Sequence, residues 1–305
     1  MVLGFDTSNY TTSVAKFDGI HGENQSRLLD VKQGELGLRQ SDAVFAHVKR
    51  LPELTEALFE HTEPSAISAI GVSTRPREVE GSYMPCFLAG VSVAKSMASA
   101  LHVPCYAFSH QQGHIAAALW SANRMDLMEV PHLAWHLSGG TTELLLVKPI
   151  EKNVFAEKIG GSMDISAGQI MDRTGKLLGL PFPSGKAMDQ LASTVDRPEF
   201  FKVKSSDLKF SFSGLENKVA SYAETHSPEE IAAYAIRSVC DTIVRTTKDA
   251  LKEYPGFPVV FSGGVASNSM MRKACVIFDP VFAAPQLSTD NAMGIAVLTW
   301  LQEAR

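Results

Sequence analysis

Short apolar runs alternate along the chain with longer segments that carry apolar residues every three or four positions. The short runs predict buried β-strands, and the longer segments predict amphipathic helices. The predicted strands are Val2–Phe5, Ser13–Phe17, Ile67–Ser73, Val103–Phe108, His132–Leu137 and Val259–Phe261. The predicted helices are Ser41–His61, Cys86–Leu101, Asp164–Leu178, Pro228–Glu253, Ala266–Cys275 and Asp290–Gln302. This alternation is typical of an α/β protein.

The order of these elements predicts two successive lobes, each a sheet with helices, around a central cleft. Val2–Phe5 and Ser13–Phe17 are joined by the Thr7–Thr12 turn, which predicts an antiparallel hairpin at the start of the first lobe. We place the N-terminal lobe at residues 1–108 and the C-terminal lobe at residues 109–305. The last helix is expected either to stay with the C-terminal lobe or to pack back on the N-terminal one.

Three of the predicted strands end in turns built from small or hydroxyl-bearing residues. The turns are Asp6-Thr7-Ser8, Ser138-Gly139-Gly140-Thr141 and Ser262-Gly263-Gly264. Small residues let the backbone turn tightly and bring N–H groups close to an anion. One such turn is weak evidence, because glycine is common in loops. Two Ser-Gly-Gly turns with a third turn rich in hydroxyls predict a phosphate-binding cleft, with a nucleotide as the leading ligand.

Composition narrows the class of protein but does not select a function. Apolar residues make up 45% of the chain and charged residues 20%, and the net charge is −5. A nucleic-acid partner would therefore need a local basic patch or a helper protein. We expect no membrane partner, because charge or glycine interrupts every long apolar stretch. The four cysteines show no CxxC spacing, which favours reduced thiols and a cytoplasmic location.

His110 and His114 are candidate metal ligands. Residues four apart on a helix share one face, so both imidazoles can reach one ion. Two histidines do not complete a site, and Asp290, at the start of the last predicted helix, is the natural third donor. Such a set leaves coordination positions open, as catalytic metals require. The alternative is a surface histidine pair that binds no metal.

Asp164, Gly168 and Asp172 recur every four residues, which predicts that they share one face of the helix Asp164–Leu178. An ionised carboxylate accepts two hydrogen bonds, so this row is suited to ribose hydroxyls. An exposed acidic helix face explains a single aspartate equally well. Glycine inside a helix costs about 1 kcal/mol relative to alanine, which favours a close contact at Gly168.

The chain resembles the TsaD-type threonylcarbamoyl transferases through motifs that follow the family's order from residue 3 to residue 297. The first turn resembles the family's ETS opening, and His110-x-x-Gly113-His114 resembles its HxxGH motif. Leu137–Gly140 resembles VSGG. The later matches are Asp164–Asp172 with Leu177–Pro183, Phe210–Leu215, Ser262–Asn268 and Thr289–Ala292. These motifs cover essentially the whole chain.

The resemblance implies a two-lobed actin/Hsp70/sugar-kinase-like fold, with nucleotide and metal in the central cleft. It implies an iron or zinc ion on His110, His114 and Asp290. The family transfers a threonylcarbamoyl group from threonylcarbamoyl-AMP to N6 of the tRNA adenosine beside the anticodon, together with helper proteins. The residues that it assigns to an ATP- or AMP-type nucleotide are Leu137, Ser138, Gly139, Gly140, Thr141, Asp172, Gly185, Gly263, Gly264 and Asn268. The candidate catalytic residues are Asp6, Ser8 and Thr11 of the first turn.

Several positions depart from the family pattern, which indicates a divergent paralogue. Asn9, Tyr10 and Thr11 replace a cysteine and two acidic residues, and Thr141 replaces a histidine. The other departures are Ile165, Gln169, Glu216 and the charged loop Arg75–Ser82. They leave open a carbamoyl or acyl transferase with a different acceptor, or a non-catalytic nucleotide-binding partner. A peptidase is least favoured, because the histidine pair lacks the glutamate of an HExxH motif.

Overall fold

The computed structural model describes residues 1–8, 10–30, 38–60 and 62–304. These residues form twelve strands and nine α-helices. The strands are β1 (Val2–Thr7), β2 (Thr11–Phe17), β3 (Gly22–Leu28), β4 (Ala69–Arg75), β5 (Cys105–Ser109), β6 (His132–Leu137), β7 (Thr142–Ile150), β8 (Asn153–Ser162), β9 (Ser205–Ser206), β10 (Lys209–Phe210), β11 (Val259–Ser262) and β12 (Val281–Phe282). The helices are α1 (Gln40–Phe59), α2 (Phe87–Leu101), α3 (His110–Ser121), α4 (Ala167–Leu177), α5 (Gly185–Ala192), α6 (Ser213–Tyr222), α7 (Pro228–Glu253), α8 (Ser269–Cys275) and α9 (Met293–Glu303).

The chain divides into two compact units. Unit 1 consists of Met1–Val130, Lys148–Ala156 and Asp290–Arg305, and unit 2 of Pro131–Val147 and Glu157–Thr289. This division differs from the boundary expected at residue 108, because α3 packs closely against α9 and both helices lie in unit 1. The last helix thus belongs to the same unit as the first strands.

Unit 1 is built on a mixed sheet with the strand order β3-β2-β1-β4-β5. The predicted opening hairpin is confirmed, since β1 and β2 pair antiparallel from Val2↔Phe17 to Thr7↔Thr12. β4 and β5 continue the sheet in parallel. Because both faces of β1 are covered, its apolar run is continuous rather than alternating, and Val2, Leu3 and Phe5 are fully buried.

Unit 2 contains a sheet with the strand order β12-β11-β6-β7-β8-β10-β9. β6 pairs antiparallel with β7 and parallel with β11, so the two Ser-Gly-Gly turns follow neighbouring strands. The core holds the largest buried side chain, Trp135, whose Nε1 donates to Thr247 Oγ1 at 2.9 Å. The sheet therefore places both predicted phosphate turns at one of its edges.

The predicted helix bounds are close to those observed, but three helices begin three residues later than predicted: α4 at Ala167, α8 at Ser269 and α9 at Met293. The helix Ser41–His61 is observed as α1, Gln40–Phe59, and His61 lies outside the described residues. The prediction that Asp164 lies on a helix is wrong. Ser166 caps α4 through a reciprocal pair of bonds with Gln169, so the helix begins at Ala167, and Asp164 instead accepts a hydrogen bond from Phe212 N at 2.9 Å.

No helix in the described part of the chain combines the length and the apolar character needed to cross a membrane. The four cysteines are free thiols, of which Cys86, Cys240 and Cys275 are buried. Burial raises the pKa of Cys86 to about 11, which keeps this thiol protonated and weakly nucleophilic.

His47 of α1 makes the free energy of unfolding dependent on pH. Its ring is fully buried, with Nδ1 2.8 Å from Thr12 Oγ1. Burial lowers the pKa of His47 below the ordinary value of 6.5, although the backbone of Ser8 and the charge of Asp6 oppose this and Arg50 adds to it. The unfolded chain therefore binds a proton that the folded chain does not, and stability falls as the pH drops below about 6.5.

We expect the His47→Gln variant to lose less stability than the parent between pH 7.5 and pH 5, measured by urea unfolding. The difference in slope is at most about 1.4 kcal/mol per pH unit, the limit set by one proton. The control is His21→Gln, which removes a histidine whose side chain is 85% exposed. Parallel pH profiles for the parent and His47→Gln would contradict the assignment.

Candidate metal centre and nucleotide turns

The start of α3 fixes the two candidate histidine ligands. Ser109 Oγ accepts from Gln112 N at 3.2 Å, and Gln112 Oε1 accepts from Ser109 N at 2.9 Å. This reciprocal capping box starts the helix at His110. His110 and His114 then lie one turn apart on the same face, as their spacing predicts.

Asp290 is held in place by its own hydrogen bond with Ser8 and by the hydrogen bonds of Ala292, two residues later. Its Oδ2 accepts from Ser8 Oγ at 3.1 Å. Two residues later, Ala292 N donates to Ser13 Oγ at 2.8 Å and to Asn24 Oδ1 at 3.1 Å. Contacts from Ser8, just after β1, and from β2 and β3 thus set the position of a carboxylate that is distant in sequence.

These elements bring His110, His114 and Asp290 together in unit 1. The two Nε2 atoms are 2.9 Å apart, and Asp290 Oδ1 lies 3.1 Å from His114 Nε2 and 3.5 Å from His110 Nε2. One donor atom from each residue lies within 4.8 Å of the others, which makes the group able to hold a metal ion. The alternative of a surface histidine pair does not describe this arrangement, because His114 is buried.

Asp6 is the fourth member of this cluster. Its carboxylate is 1% exposed, accepts from His110 Nδ1 at 2.7 Å and accepts from Ser73 Oγ at 2.5 Å. Burial lowers the pKa of His110, but the charges and hydrogen bonds of Asp6 and Asp290 outweigh it and raise that pKa to about 10. For Asp290, burial raises the pKa, and hydrogen bonds from His110 and His114 outweigh it and hold the pKa well below its usual range.

The three candidate catalytic residues differ in what they touch. Asp6 and Ser8 hydrogen bond directly to His110 and Asp290. Thr11 is buried at the start of β2, paired with Leu28, and none of the hydrogen bonds described within the cluster includes its side chain. Its catalytic role stays a prediction from sequence.

Hydrogen bonds between Ser138 and Thr141 close the first Ser-Gly-Gly turn. Ser138 N donates to Thr141 O at 2.9 Å, and Thr141 N donates to Ser138 Oγ at 3.1 Å. Gly139 and Gly140 are exposed at the tip, and a Cβ added to either would meet nothing within 4 Å. Within the described residues, no hydrogen bond uses the N–H of Gly139 or Gly140, so both amides are available to a ligand.

The start of α4 packs directly on this turn. Ser166 Oγ donates to Gly139 O at 2.6 Å, and a Cβ at Gly168 would lie 2.5 Å from Gly139 Cα and from Ser138 O. The close approach expected from a glycine inside the helix is therefore present. The helix N-terminus also adds the positive end of its dipole beside the turn.

The second Ser-Gly-Gly turn, which follows β11, lies against the last residue of β6, Leu137. Gly263 has a φ of +91°, and a Cβ there would lie 2.2 Å from Leu137 O, so only glycine fits. Gly264 is exposed, with nothing within 4 Å of an added Cβ. The structure thus brings Leu137, Gly263 and the Ser138–Thr141 turn into one edge of the unit 2 sheet.

The remaining predicted nucleotide residues are used mainly for local structure. Asn268 Oδ1 accepts from Met271 N at 3.0 Å, and its Nδ2 donates to Asp189 Oδ1 at 2.8 Å, so its amide caps α8. Asp172 Oδ1 accepts from Ser184 N at 2.8 Å, just before α5 begins at Gly185. Burial raises the pKa of Asp172, and this hydrogen bond opposes the rise.

Several departures from the family pattern have structural partners of their own. Thr141 Oγ1 lies 3.0 Å from Ser138 Oγ, and Gln169 completes the cap of α4. Glu216 accepts from Arg173 at 2.7 Å. In the charged loop Arg75–Ser82, Arg75 pairs with Glu78. Asn9 lies outside the described residues.

Sequence reasoning missed the residues that support the candidate ligands. Ser73 bonds to Asp6, and Asp189 accepts from Asn268 and from Ser269 N and Oγ. Their partners are 67 and about 80 residues away, so no local signal identifies them. Ser166 could have been found, because the Ser-x-x-Gln spacing of a capping box is visible in the sequence.

Comparison with solved structures identifies the fold. The chain superposes on HypF from T. kodakarensis with a TM-score of 0.60 at 13% identity, over 99% of this chain and 47% of that one. It superposes on the ROK hexokinase from Thermus thermophilus with a TM-score of 0.52 at 12% identity, over 99% and 98%. These likenesses confirm the actin/Hsp70/sugar-kinase-like fold class.

Comparison with sequences identifies the family. The family model for TsaD, tRNA N6-adenosine threonylcarbamoyltransferase, matches residues 30–297. The protein of that name from Lactococcus lactis subsp. cremoris (strain SK11) is 31% identical, over 99% of this chain and 91% of its own length. The one from Sulfurihydrogenibium sp. (strain YO3AOP1) is 32% identical, over 97% and 88%. The chain therefore belongs to the tRNA N6-adenosine threonylcarbamoyltransferase family, a family of acyltransferase enzymes.

Proposed function

We propose that this protein transfers a threonylcarbamoyl group from threonylcarbamoyl-AMP to N6 of the tRNA adenosine beside the anticodon. The observation that carries the proposal is the convergence of His110, His114 and Asp290 to within 4.8 Å in a chain of this family. Helper proteins of the same pathway are the partners that the resemblance implies, and the cytoplasm is the compartment in which we place the reaction.

The donor set fits an iron or zinc ion. Asp6 is a carboxylate that accepts from His110 Nδ1, and His110 Nε2 faces His114 and Asp290, where a bound ion would displace its proton and take the lone pair. Two imidazole nitrogens and one carboxylate oxygen are ligands that both metals accept, with further positions left for substrate. When bound, the ion would supply positive charge that stabilises negative charge developing on carbamoyl or phosphate oxygens.

The residues around the ligands orient them. Asp6 fixes the ring of His110, and Ser73 in turn donates to Asp6. Ser8 donates to Oδ2 of Asp290 and leaves Oδ1 on the side of the two imidazoles. Asp6 and Ser8 therefore serve as positioning residues in this proposal.

We assign the adenylate part of the substrate to the turns of unit 2. The free N–H groups of Gly139 and Gly140, next to the N-terminus of α4, are suited to phosphate oxygens. Asp172 is suited to a ribose hydroxyl, because its Oδ1 accepts one backbone hydrogen bond and a carboxylate has further acceptor capacity. Gly185, Gly263, Gly264 and Asn268 complete the proposed site.

The test is incubation of the purified protein with threonylcarbamoyl-AMP and undermodified tRNA, followed by mass spectrometry of the nucleosides. We expect threonylcarbamoyl-adenosine to form, and its formation to require bound metal. Protein that binds the nucleotide and consumes threonylcarbamoyl-AMP without modifying tRNA would point to another acceptor. Binding without consumption would point to a non-catalytic partner, and either result would refute the proposal.

A further inference from the structure

Unit 2 carries cations and aromatic rings, outside the proposed nucleotide turns, on one chain segment and on the helices beside it. We call this group the basic surface. It comprises two phenylalanines and five cationic residues from the segment 200–209 and from helices α6 and α7: Phe200, Phe201, Lys202, Lys204, Lys209, Lys218 and Arg237. Nothing in the proposed chemistry of the adenylate or the metal uses these residues.

Two of the cations lie over the aromatic rings. Lys218 Nζ is 6.0 Å from the centroid of the Phe201 ring, and Arg237 Cζ is 5.5 Å from the centroid of the Phe200 ring. Phe200 keeps 42% of its surface exposed, so part of its ring is accessible to a ligand. An exposed ring beside a guanidinium offers a flat, positively charged platform.

The backbone of the segment is fixed to α7. Phe201 N donates to Ser238 Oγ at 2.8 Å, and Arg245 donates to Val203 O at 2.6 Å and to Ser205 Oγ at 3.1 Å. Val203 is buried, so the lysines on either side of it are exposed. The segment is therefore anchored, and its charges stand at set positions rather than on a free loop.

The lysines of the basic surface form no ion pairs within the described part of the chain. Among the described residues, Lys202, Lys204, Lys209 and Lys218 have no carboxylate oxygen within 4.0 Å. Nearby arginines do have such partners, since Arg173 pairs with Glu216 and Arg245 with Asp241. Two carboxylates in the same segment, Glu199 and Asp207, keep their negative charge, and the five cations of the basic surface outnumber them.

A concentration of unpaired lysines is informative in a chain whose net charge is −5. Lysines act as point charges that hold phosphates without reading sequence, and an exposed aromatic ring stacks on an unpaired base. The combination fits a folded RNA with a single-stranded loop better than an acidic protein, which would leave the stacking platform unused.

We propose that the basic surface binds the tRNA substrate, with the lysines on the phosphodiester backbone and Phe200 stacked on an unpaired base. The inference rests on the proposed function, because that function supplies the RNA. A local patch of positive charge lets a chain with a negative net charge hold a polyanion such as tRNA.

The experiment compares the parent with the triple variant Lys202→Gln, Lys204→Gln, Lys218→Gln. The probe is an unmodified tRNA transcript, and its affinity is measured by filter retention from 50 to 200 mM salt. We expect the slope of log affinity against log salt to become shallower by about 2 to 3, since each lost phosphate contact contributes about 0.7 to 0.9. At 50 mM salt we expect affinity to fall by at least about tenfold.

The matched control is the triple variant Lys49→Gln, Lys95→Gln, Lys273→Gln. It removes the same charge from exposed lysines elsewhere, one of which lies over a ring in the same way, with Lys49 Nζ 5.7 Å from the centroid of Phe45. A second variant, Phe200→Leu, keeps apolar volume but removes the ring. We expect it to weaken binding without changing the salt slope.

The outcomes separate this surface from the proposed function. If the triple lysine variant binds tRNA with the affinity and the salt slope of the parent, the proposed role of the basic surface is wrong. It is also wrong if the parent does not retain tRNA at 50 mM salt. Threonylcarbamoyl transfer with an unchanged KM for tRNA in that variant overturns the surface and leaves the function intact. Retention of tRNA by the parent, lost in the variant, without any transfer supports the surface and overturns the function.

Discussion

Replacing Gly294 with alanine is expected to destabilise unit 1 severely. Gly294 is in the first turn of α9, and a Cβ there would lie 1.8 Å from Gly113 O and 2.9 Å from Ala117 N. Both atoms belong to the backbone of α3, so relief requires the two helices to move apart. We expect the free energy of unfolding to fall by about 3 kcal/mol or more, the upper range for overpacked cores.

The same substitution should disturb the candidate metal centre. α3 carries His110 and His114, and Asp290 lies just before α9, so separating the helices moves the ligands away from one another. Urea unfolding measures the first effect, and the iron or zinc content of the purified protein measures the second. We expect the variant to retain less metal than the parent even at temperatures where it remains folded.

The control for Gly294→Ala is Gly214→Ala. Gly214 lies in the first turn of α6, and a Cβ there would meet nothing within 4 Å. Alanine is the better helix former, so this variant should be unchanged or more stable by up to about 1 kcal/mol. If both variants unfolded at the urea concentration of the parent, the close packing of α3 on α9 would be wrong.

Replacing His114 with alanine is expected to abolish stoichiometric metal binding and transfer. His114 Nε2 lies within 3.1 Å of both His110 Nε2 and Asp290 Oδ1, so it is central to the donor set. Loss of a residue that only supports a ligand typically costs 10- to 100-fold in metal affinity or activity, and loss of the ligand itself should cost at least about 100-fold. Elemental analysis and the nucleoside assay measure the two effects.

A graded companion variant makes this prediction specific. Asp6→Asn keeps the volume of the side chain but weakens the acceptor for His110 Nδ1, so it should lower metal affinity by about 10- to 100-fold without removing a ligand. His21→Ala, which alters an exposed histidine, should match the parent. Equal metal content and turnover in the parent and His114→Ala would refute the proposed centre.

The parts of the fold that local patterns specify were predictable from sequence. α7 has the predicted bounds, Pro228–Glu253, because Ser227 and Glu230 form a capping box in front of a long amphipathic stretch. The hairpin of β1 and β2 follows from two apolar runs around a polar turn. For the site, the helical spacing of His110 and His114 was sufficient to place them on one face.

The remaining features depend on contacts between distant parts of the sequence. Asp6 meets His110 across 104 residues, so its hydrogen bond cannot be inferred from the turn that contains it. Helix α3 lies in the same unit as the first strands and packs on α9, a contact between distant segments that no local pattern specifies. Asp164 was predicted to lie on a helix because Gly168 and Asp172 follow it at intervals of four residues. The capping box of Ser166 and Gln169 instead starts the helix at Ala167.

The cluster of His110, His114 and Asp290 has a consequence for how the protein is made. His114 and Asp290 are 176 residues apart, and all of unit 2 is synthesised between them. During translation the two histidines are synthesised before unit 2, and the carboxylate of Asp290 is synthesised after it. An ion held by all three would close this long loop and remove conformational freedom from the unfolded chain. Metal retention would then report that unit 1 has been completed, and a ribosome-bound chain ending before Asp290 could not yet retain it.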